Sequence, residues 1–209
     1  MLAPIKHLLS NYRVVLASGS PRRQEMVKIL GLNAELCPST FEENLNMADY
    51  KEFSEYIEAT ALGKAEEVFT RLSAQGDNKN LIVIAADTMV TLGEEVYGKP
   101  KNAEDAVRML KKLSGACNRV FSGVVLKHAG GVRKFTDTAD VYFSQLLPEQ
   151  IQSYVDSGDP LDKAGAYGIQ GPGGAMIERI DGDFYCVLGL PLNRFCRELN
   201  KLFLEDLSS

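Results

Sequence analysis

The stretch Ser-Gly-Ser-Pro-Arg-Arg over residues 18–23 carries side chains suited to anion binding. It follows an apolar run over residues 14–17 that predicts a short strand, and its central serine and proline are typical of a helix start. Arg22 and Arg23 then fall in the first turn of that helix, where positive charge opposes the helix macrodipole unless an anion lies there. Free backbone N–H groups and two guanidinium groups at this position predict a phosphate site.

A plainer interpretation of the same residues stays open. The two arginines could lie in a solvated first turn and pair with Glu25 or with a distant acid. Ser18 adds a hydroxyl group to the phosphate site, but a single serine at this place is also typical of a turn.

Lys64 interrupts the apolar face of a helix predicted over about residues 50–74. An ammonium group on a core-facing stripe is unfavourable unless it is paired or borders a cleft, so Lys64 is a candidate functional residue. Alternatively, its side chain reaches solvent at the edge of the stripe. The apolar members of the stripe are Phe53, Ile57, Ala61, Val68 and Leu72.

Two carboxylates are candidate metal ligands or general bases. Asp87 follows a continuous apolar run over residues 81–86, which predicts a buried strand that ends at this acid, and α/β sheets bind ligands beyond such strand ends. Glu43 belongs to an acidic loop over residues 41–44. Singly, Asp87 could be a cap and Glu43 a solvated side chain, whereas together across a triphosphate they would hold Mg²⁺ or Mn²⁺.

Two glycine-containing segments are candidate substrate contacts. Residues 93–100 nearly match a P-loop, but a proline replaces the required Ser/Thr and two glutamates would repel phosphates. The segment instead predicts a hairpin that carries Lys99, either as a phosphate contact or as a surface lysine. In residues 162–171, small residues surround Gln170, whose amide could pair with a nucleobase edge or simply face solvent.

Composition limits the class of protein. A chain of 209 residues with 45% apolar content predicts a single domain, with two lobes possible. The formal charge of −5 argues against a nucleic-acid partner, and only two histidines argue against a histidine-based triad. Four scattered cysteines predict free thiols rather than a disulfide or zinc framework. The absence of a membrane-length apolar run or a signal peptide predicts a cytoplasmic protein without a membrane partner.

The order of elements predicts an α/β fold with a mixed sheet. Strands are expected over residues 13–18, 34–37 and 81–86, in a hairpin over 118–143, and near 175–180 and 184–188. Helices are expected over residues 20–30, 50–74 and 102–113, from 148 onward, and from about 191 to 204.

Taken together, these motifs resemble the Maf family of nucleoside triphosphate pyrophosphatases. The resemblance runs in order from about residue 13 to the last helix, through Ser-x-Ser-Pro-Arg-Arg, Glu-Glu, Lys64, Ala-Asp-Thr, Gly-Lys-Pro and Asp-Lys-Ala-Gly-Ala-Tyr-Gly-Ile-Gln-Gly. It implies a mixed twisted sheet flanked by helices with a central cleft, a Maf/inosine triphosphatase-like fold. It also implies a divalent metal cation, Mg²⁺ or Mn²⁺, a homodimer, and cleavage between the α- and β-phosphates.

The resemblance further implies roles for individual residues. Thr88 and the Gly-Ile-Gln-Gly segment look like the branch that acts on dTTP and UTP rather than on 7-methyl-GTP. Asp87 is the implied base, Glu43 and Lys64 complete the catalytic set, and the two acids hold the metal. The implied substrate-binding residues are Ser18, Arg22, Arg23, Thr88, Lys99 and Gln170. The chain is also similar to the N-terminal domain of the acetylserotonin O-methyltransferase-like protein, with no methyltransferase portion expected.

Two other functions remain open from the sequence. A phosphatase or kinase-like enzyme would release orthophosphate or transfer a phosphoryl group. A nucleotide-binding regulator of cell division would bind a triphosphate without hydrolysing it.

Overall fold

The chain builds a mixed sheet with helices packed against it. The computed structural model describes residues 1–76 and 80–207, and over these residues it contains one seven-stranded sheet. The strands are β1 (Arg13–Leu16), β2 (Glu35–Leu36), β3 (Leu81–Leu92), β4 (Glu95–Tyr97), β5 (Cys117–His128), β6 (Gly131–Phe143) and β7 (Ile177–Gly182). The α-helices are α1 (Lys6–Leu9), α2 (Pro21–Ile29), α3 (Phe53–Ser73), α4 (Ala103–Leu113), α5 (Pro148–Asp156), α6 (Phe184–Leu188) and α7 (Leu192–Lys201).

The strand order explains why the sheet is mixed. Along the sheet the order is β2-β1-β3-β5-β6-β7, and β4 pairs separately with β3. Strand β1 runs parallel to both β2 and β3, whereas the β3–β4 and β6–β7 pairs are antiparallel. The predicted α/β class with a mixed sheet is therefore confirmed. None of the helices in the described ranges combines the length and apolar character needed to cross a membrane.

Two compact units divide the chain, and strands β3, β5 and β6 contribute residues to both. The first unit comprises Met1–Asp87, Ser122–Thr136 and Gly189–Ser209, within the described ranges. The second unit comprises Thr88–Phe121 and Asp137–Leu188.

The core of the first unit lies between α3 and one face of the sheet. Because side chains alternate along a strand, every second residue of β3 faces the helix. The buried cluster accordingly takes alternate residues of β3, Val15 of β1 with Ala17 just after it, and one stripe of α3. Its members are Val15, Ala17, Ala61, Ala65, Val68, Phe69, Leu72, Leu81, Val83, Ala85 and Val125.

The core of the second unit anchors its glycine-rich loop. Tyr167 is 4% exposed, and its hydroxyl donates to Asn118 Oδ1 at 3.0 Å. Asn118 Nδ2 in turn donates to the Val141 carbonyl at 3.1 Å. The Tyr167 and Phe143 rings meet edge to face at 4.9 Å. Burial raises the pKa of the Tyr167 hydroxyl, so it stays a neutral donor.

Two expectations about secondary structure were wrong. Strand β3 does not end at Asp87 but continues to Leu92, because Met89 and Val90 are buried and β4 pairs with the extension. Residues 184–188 form helix α6 rather than a strand, since the Asp183 carboxylate accepts the Tyr185 N–H at 2.9 Å and starts a helical turn.

Candidate active site

A single ammonium group joins the two predicted carboxylates. Lys64 Nζ lies 2.7 Å from Asp87 Oδ1 and 2.8 Å from Glu43 Oε1. The side chains of Lys64 and Asp87 are 13% and 18% exposed, whereas that of Glu43 is 54% exposed. The structure thus brings together the three residues that the sequence analysis assigned to catalysis.

The side-chain alternation of β3 and the helical repeat of α3 explain why Asp87 and Lys64 meet. Val83 and Ala85 face α3 from β3, and Asp87 continues the same alternation. On α3, Lys64 lies within the stripe that contains Ala61 and Val68, one turn from each. Asp87 and Lys64 therefore lie on the facing surfaces of β3 and α3, where their side chains meet.

Phe41 and Gly63 bring the acidic loop to the same place. A Cβ atom at Gly63 would lie only 2.4 Å from the Phe41 ring, so the ring packs directly against the α3 backbone. Gly63 precedes Lys64, and Phe41 stands two residues before Glu43. The close approach that glycine permits consequently holds Glu43 within reach of the ammonium group.

Glu67 and Arg71, further along α3, fix the segment before Phe41. Glu67 Oε2 accepts hydrogen bonds from Ser39 Oγ at 2.9 Å and from the Thr40 N–H at 3.0 Å. Arg71 donates to Glu67 Oε1 at 2.7 Å and to the Pro38 carbonyl at 3.1 Å. The hydrogen bond from Arg71 lowers the pKa of Glu67 to about 2. Glu67 is therefore charged at neutral pH, and its hydrogen bonds to Ser39 and Thr40 form a tether between α3 and the segment before Phe41.

Arg23 and Ser18 form a second group of contacts at the start of α2. Arg23 Nε donates to the Gly189 carbonyl at 2.9 Å, and Arg23 Nη1 donates to Ser18 Oγ at 3.4 Å. Ser18 is 6% exposed, and its Oγ also accepts the Ser20 N–H at 3.2 Å. Ser20 is the N-cap with Pro21 after it, as predicted, but its own side chain makes no capping hydrogen bond.

The charges at the start of α2 interact with the carboxylates of Asp87 in β3 and Glu43 in the acidic loop. Burial lowers the pKa of Arg23, the Asp87 and Glu43 carboxylates oppose that effect, and the neighbouring Arg22 adds to it. An arginine stays protonated despite such a shift. Three cations and two carboxylates thus form one electrostatic group with net positive charge, which suits a polyanionic ligand.

The donor set suits a divalent cation that is shared with a phosphate ligand. Glu43 and Asp87 supply carboxylate oxygens, which Mg²⁺ and Mn²⁺ prefer. In the part of the chain that the structure describes, no three His, Cys, Asp or Glu side chains cluster in a way that could hold a metal ion. Mg²⁺ is commonly bound through one or two carboxylates and completed by substrate phosphates and water, so the two acids fit that mode.

The other three predicted site residues belong to the second unit. Thr88 is half-buried in β3, and Lys99 is exposed just after β4, on the predicted hairpin. Gln170 is exposed before the 3-10 turn Gly171–Met176. The Gly165 N–H donates to the Gly98 carbonyl at 3.1 Å, which joins the hairpin to the glycine-rich loop.

Sequence reasoning missed the residues that position Glu43. Gly63 inside a predicted helix is a general sign of close packing, but the sequence does not show that the Phe41 ring is its partner, because that contact is tertiary. Glu67 and Arg71 did show a recognisable pattern, because an acid and a base four residues apart on a helix predict an ion pair. The pair follows Lys64 on the same side of α3.

Comparison with known proteins places the chain in a family. The fold and the site define an α/β protein with two arginines at a helix start and two carboxylates joined by a lysine. A family model described as "Maf-like protein" matches residues 13–202. The chain belongs to this family, and the resemblance seen in its motifs is confirmed.

Several relatives are similar over most of the chain. A "dTTP/UTP pyrophosphatase" of Clostridium perfringens (strain SM101 / Type A) is 45% identical, over 90% of this chain and 95% of that protein. A "dTTP/UTP pyrophosphatase" of Aquifex aeolicus (strain VF5) is 44% identical, over 91% of this chain and 97% of that protein.

A longer human protein and one solved structure are also similar. The "Probable bifunctional dTTP/UTP pyrophosphatase/methyltransferase protein" of Homo sapiens is 44% identical over 97% of this chain, which spans only 34% of the human protein. The Ham1 protein structure from Staphylococcus aureus aligns with 93% of this chain and 98% of that chain, at 17% identity and a TM-score of 0.46.

Proposed function

We propose that this chain hydrolyses dTTP and UTP to the nucleoside monophosphate and pyrophosphate. The observation that carries the proposal is the contact of Lys64 Nζ with Asp87 at 2.7 Å and with Glu43 at 2.8 Å. The guanidinium group of Arg23, at the start of α2, interacts with the same two carboxylates. Such a group of charges can hold a triphosphate and present a base to it.

The choice of dTTP and UTP rests on relatives and on motifs. The two bacterial relatives that align along nearly their whole length are named for these substrates. Thr88, Lys99 and Gln170 match the corresponding motif positions, and we propose them as substrate contacts. Arg22, Arg23 and Ser18 are proposed as the phosphate-binding group of the first unit.

Asp87 acts as the base in the proposed reaction. Its Oδ1 accepts the hydrogen bond from Lys64, so Oδ2 is the atom that would take a proton from water. The water oxygen bonds to the α-phosphorus while the bond from that phosphorus to the α–β bridging oxygen breaks. The electron pair leaves with pyrophosphate, and Lys64, Arg22 and Arg23 stabilise the charge that develops on the phosphate oxygens.

Glu43 and Asp87 are the residues proposed to hold Mg²⁺ or Mn²⁺ together with phosphate oxygens. When bound, the cation would neutralise phosphate charge and polarise the scissile phosphate. Lys64 meanwhile keeps the two acids close together in the protein alone. The predicted homodimer, central cleft and cytoplasmic location stay predictions.

The position of the cleaved bond tests the proposal. The purified chain is incubated with UTP and Mg²⁺ or Mn²⁺ in water enriched in ¹⁸O. The products are then separated, and their masses are measured by mass spectrometry. Attack at the α-phosphorus places the label in UMP and leaves pyrophosphate unlabelled. Release of orthophosphate would favour the phosphatase alternative, and binding of UTP without hydrolysis would favour the regulator.

A further inference from the structure

Tyr154 of α5 contacts the backbone of the loop that carries Gln170. The Tyr154 side chain is buried, and its hydroxyl donates to Asp159 Oδ2 at 2.6 Å. The same hydroxyl accepts the Gly168 N–H at 3.0 Å. Gly168 stands two residues before Gln170, so a buried side chain of α5 holds the start of the Ile-Gln segment.

Lys163 holds the carboxylate that pairs with Tyr154. Its Nζ lies 3.1 Å from Asp159 Oδ1 and 2.7 Å from Asp162 Oδ1, and it also donates to the Asp159 carbonyl. The Lys163 side chain is 12% exposed. The Asp-Lys pair that opens the glycine-rich motif therefore directs its ammonium group to carboxylates of its own loop and orients Asp159 toward Tyr154.

Close packing of Gly173 and Gly174 also restricts the segment from Gly168 to Gln170. A Cβ atom at Gly173 would lie 2.2 Å from the Gly168 carbonyl and 2.6 Å from the Tyr154 hydroxyl. A Cβ atom at Gly174 would lie 2.4 Å from the Ile169 carbonyl. Residues 168–170 are thus confined between α5 and the Gly171–Met176 turn, while the Gln170 side chain is exposed.

We infer that Tyr154 is a positioning residue for Gln170 and thereby sets the enzyme's preference among nucleobases. This inference rests on the proposed function, in which the Gln170 amide contacts the base. An amide discriminates between bases only while its N–H donor and its carbonyl acceptor point in fixed directions. The donor must face an acceptor on the base, and the acceptor must face a donor. Removing the Tyr154 hydroxyl leaves the Gly168 N–H and the Asp159 carboxylate without a shared partner, and the segment relaxes.

The test compares two tyrosine-to-phenylalanine variants of the full chain. Tyr154→Phe keeps the buried ring and removes only the hydroxyl. Tyr142→Phe is the matched control, because that ring packs under the Arg179 guanidinium group, 3.5 Å from ring centroid to Cζ, in the same unit. Binding is measured by calorimetry with the non-hydrolysable α,β-imido analogues of UTP and CTP.

We expect Tyr154→Phe to lower the UTP-over-CTP binding ratio by about tenfold, which corresponds to 1.4 kcal/mol. The control should keep the wild-type ratio. In the Gln170→Ala background, Tyr154→Phe should leave the ratio unchanged, since the residue through which it acts is gone. Amide exchange at Gly168 should accelerate in Tyr154→Phe, while exchange in α3 stays slow.

Three results would overturn the inference. One is an equal loss of affinity for both analogues, which would show a general structural role. Another is the same ratio change with and without Gln170. The third is a wild-type protein that binds both analogues equally. Failure of the proposed function is a separate result, namely absence of UTP hydrolysis by the wild type, and the binding ratio does not depend on turnover.

Discussion

Lys64 donates a 2.7 Å hydrogen bond to Asp87 and so joins the middle of α3 to the middle of β3. Lys64 meets Asp87 because both elements turn their polar residue toward the same point, and the packing of Phe41 on α3 brings Glu43 to the same ammonium group. A lysine in an apolar stripe is stable here because two carboxylates compensate its desolvation.

Asp87→Asn should lower the rate of pyrophosphate release by about 10²–10⁴-fold, because asparagine cannot accept the proton from water. The amide still accepts a hydrogen bond from Lys64, so the fold should persist. Steady-state kinetics with UTP and a thermal melt by circular dichroism check both statements. Near-normal turnover in this variant would remove Asp87 from its assigned role.

Lys64→Met should abolish turnover and raise the affinity of the nucleotide-free protein for Mn²⁺ by at least about tenfold. The reason is electrostatic: the variant frees two carboxylates and deletes the positive charge between them. Its melting temperature should fall without metal and recover on addition of Mn²⁺. Electron paramagnetic resonance titration of free Mn²⁺ measures the affinity, and an unchanged or weaker Mn²⁺ affinity contradicts the prediction.

Arg22→Ala and Arg23→Ala should differ in stability. Arg23 donates to the Gly189 carbonyl at 2.9 Å and to Ser18 at 3.4 Å, so its removal should cost about 1–3 kcal/mol in the free energy of unfolding. Arg22→Ala should raise the KM for UTP with little effect on that free energy. Urea unfolding of both variants and of the wild type measures the free energies of unfolding. Equal values for the two variants would argue that the Arg23 contacts contribute nothing to stability.

Gly63→Ala should destabilise the protein although alanine favours helices. The substitution gains about 1 kcal/mol of helix propensity but places a methyl group 2.4 Å from the Phe41 ring. Phe41 and the following Glu43 must then move, so turnover should fall as well. In a Phe41→Ala background the clash disappears, and Gly63→Ala should become stabilising by about 1 kcal/mol in urea unfolding. Destabilisation in both backgrounds would point to a different contact.

The tether through Glu67 should fail in acid. Its pKa is about 2 in the folded chain, against 4.5 ordinarily, chiefly because Arg71 donates to it. A lowered folded-state pKa stabilises the fold fully above pH 4.5, and the stabilisation is lost as the pH falls from 4.5 to about 2. The difference in unfolding free energy between wild type and Glu67→Ala should therefore be constant near neutrality and shrink over that window. A difference that grows toward low pH would contradict this sign.

Local patterns in the sequence singled out Lys64 and Asp87 but misplaced the end of the strand that carries Asp87. Lys64 stood out because it is charged within the apolar stripe of a helix, and Asp87 because it follows a buried apolar run. The end of β3 was missed because Asp87 and Thr88 are polar, and polar residues usually mark a strand end. Pairing with β4, a tertiary contact, carries the strand to Leu92.

Residues 184–188 show why structural features that depend on tertiary contacts could not be predicted from the sequence. Phe-Tyr-Cys-Val-Leu is a short apolar run of residues common in strands, and five residues are too few to show a helical period. The helix depends on Asp183, whose carboxylate accepts the Tyr185 N–H, and on burial of Cys186 and Leu188. Likewise, the positioning of Glu43 depends on how closely Phe41 approaches α3.

Three strands of the described sheet, β2, β7 and the three-residue β4, have a single pairing partner and limit how copies of this chain could associate. Strand β2 offers only Glu35–Leu36 for pairing, and Arg13 clamps Glu35 through two hydrogen bonds of 2.9 Å. Strand β7, at the other end of the strand order, carries Glu178, Arg179 and Asp181. Short or charged outer strands make poor templates for a further strand. A pair of copies should therefore join through side-chain surfaces, and a continuous intermolecular sheet is not expected.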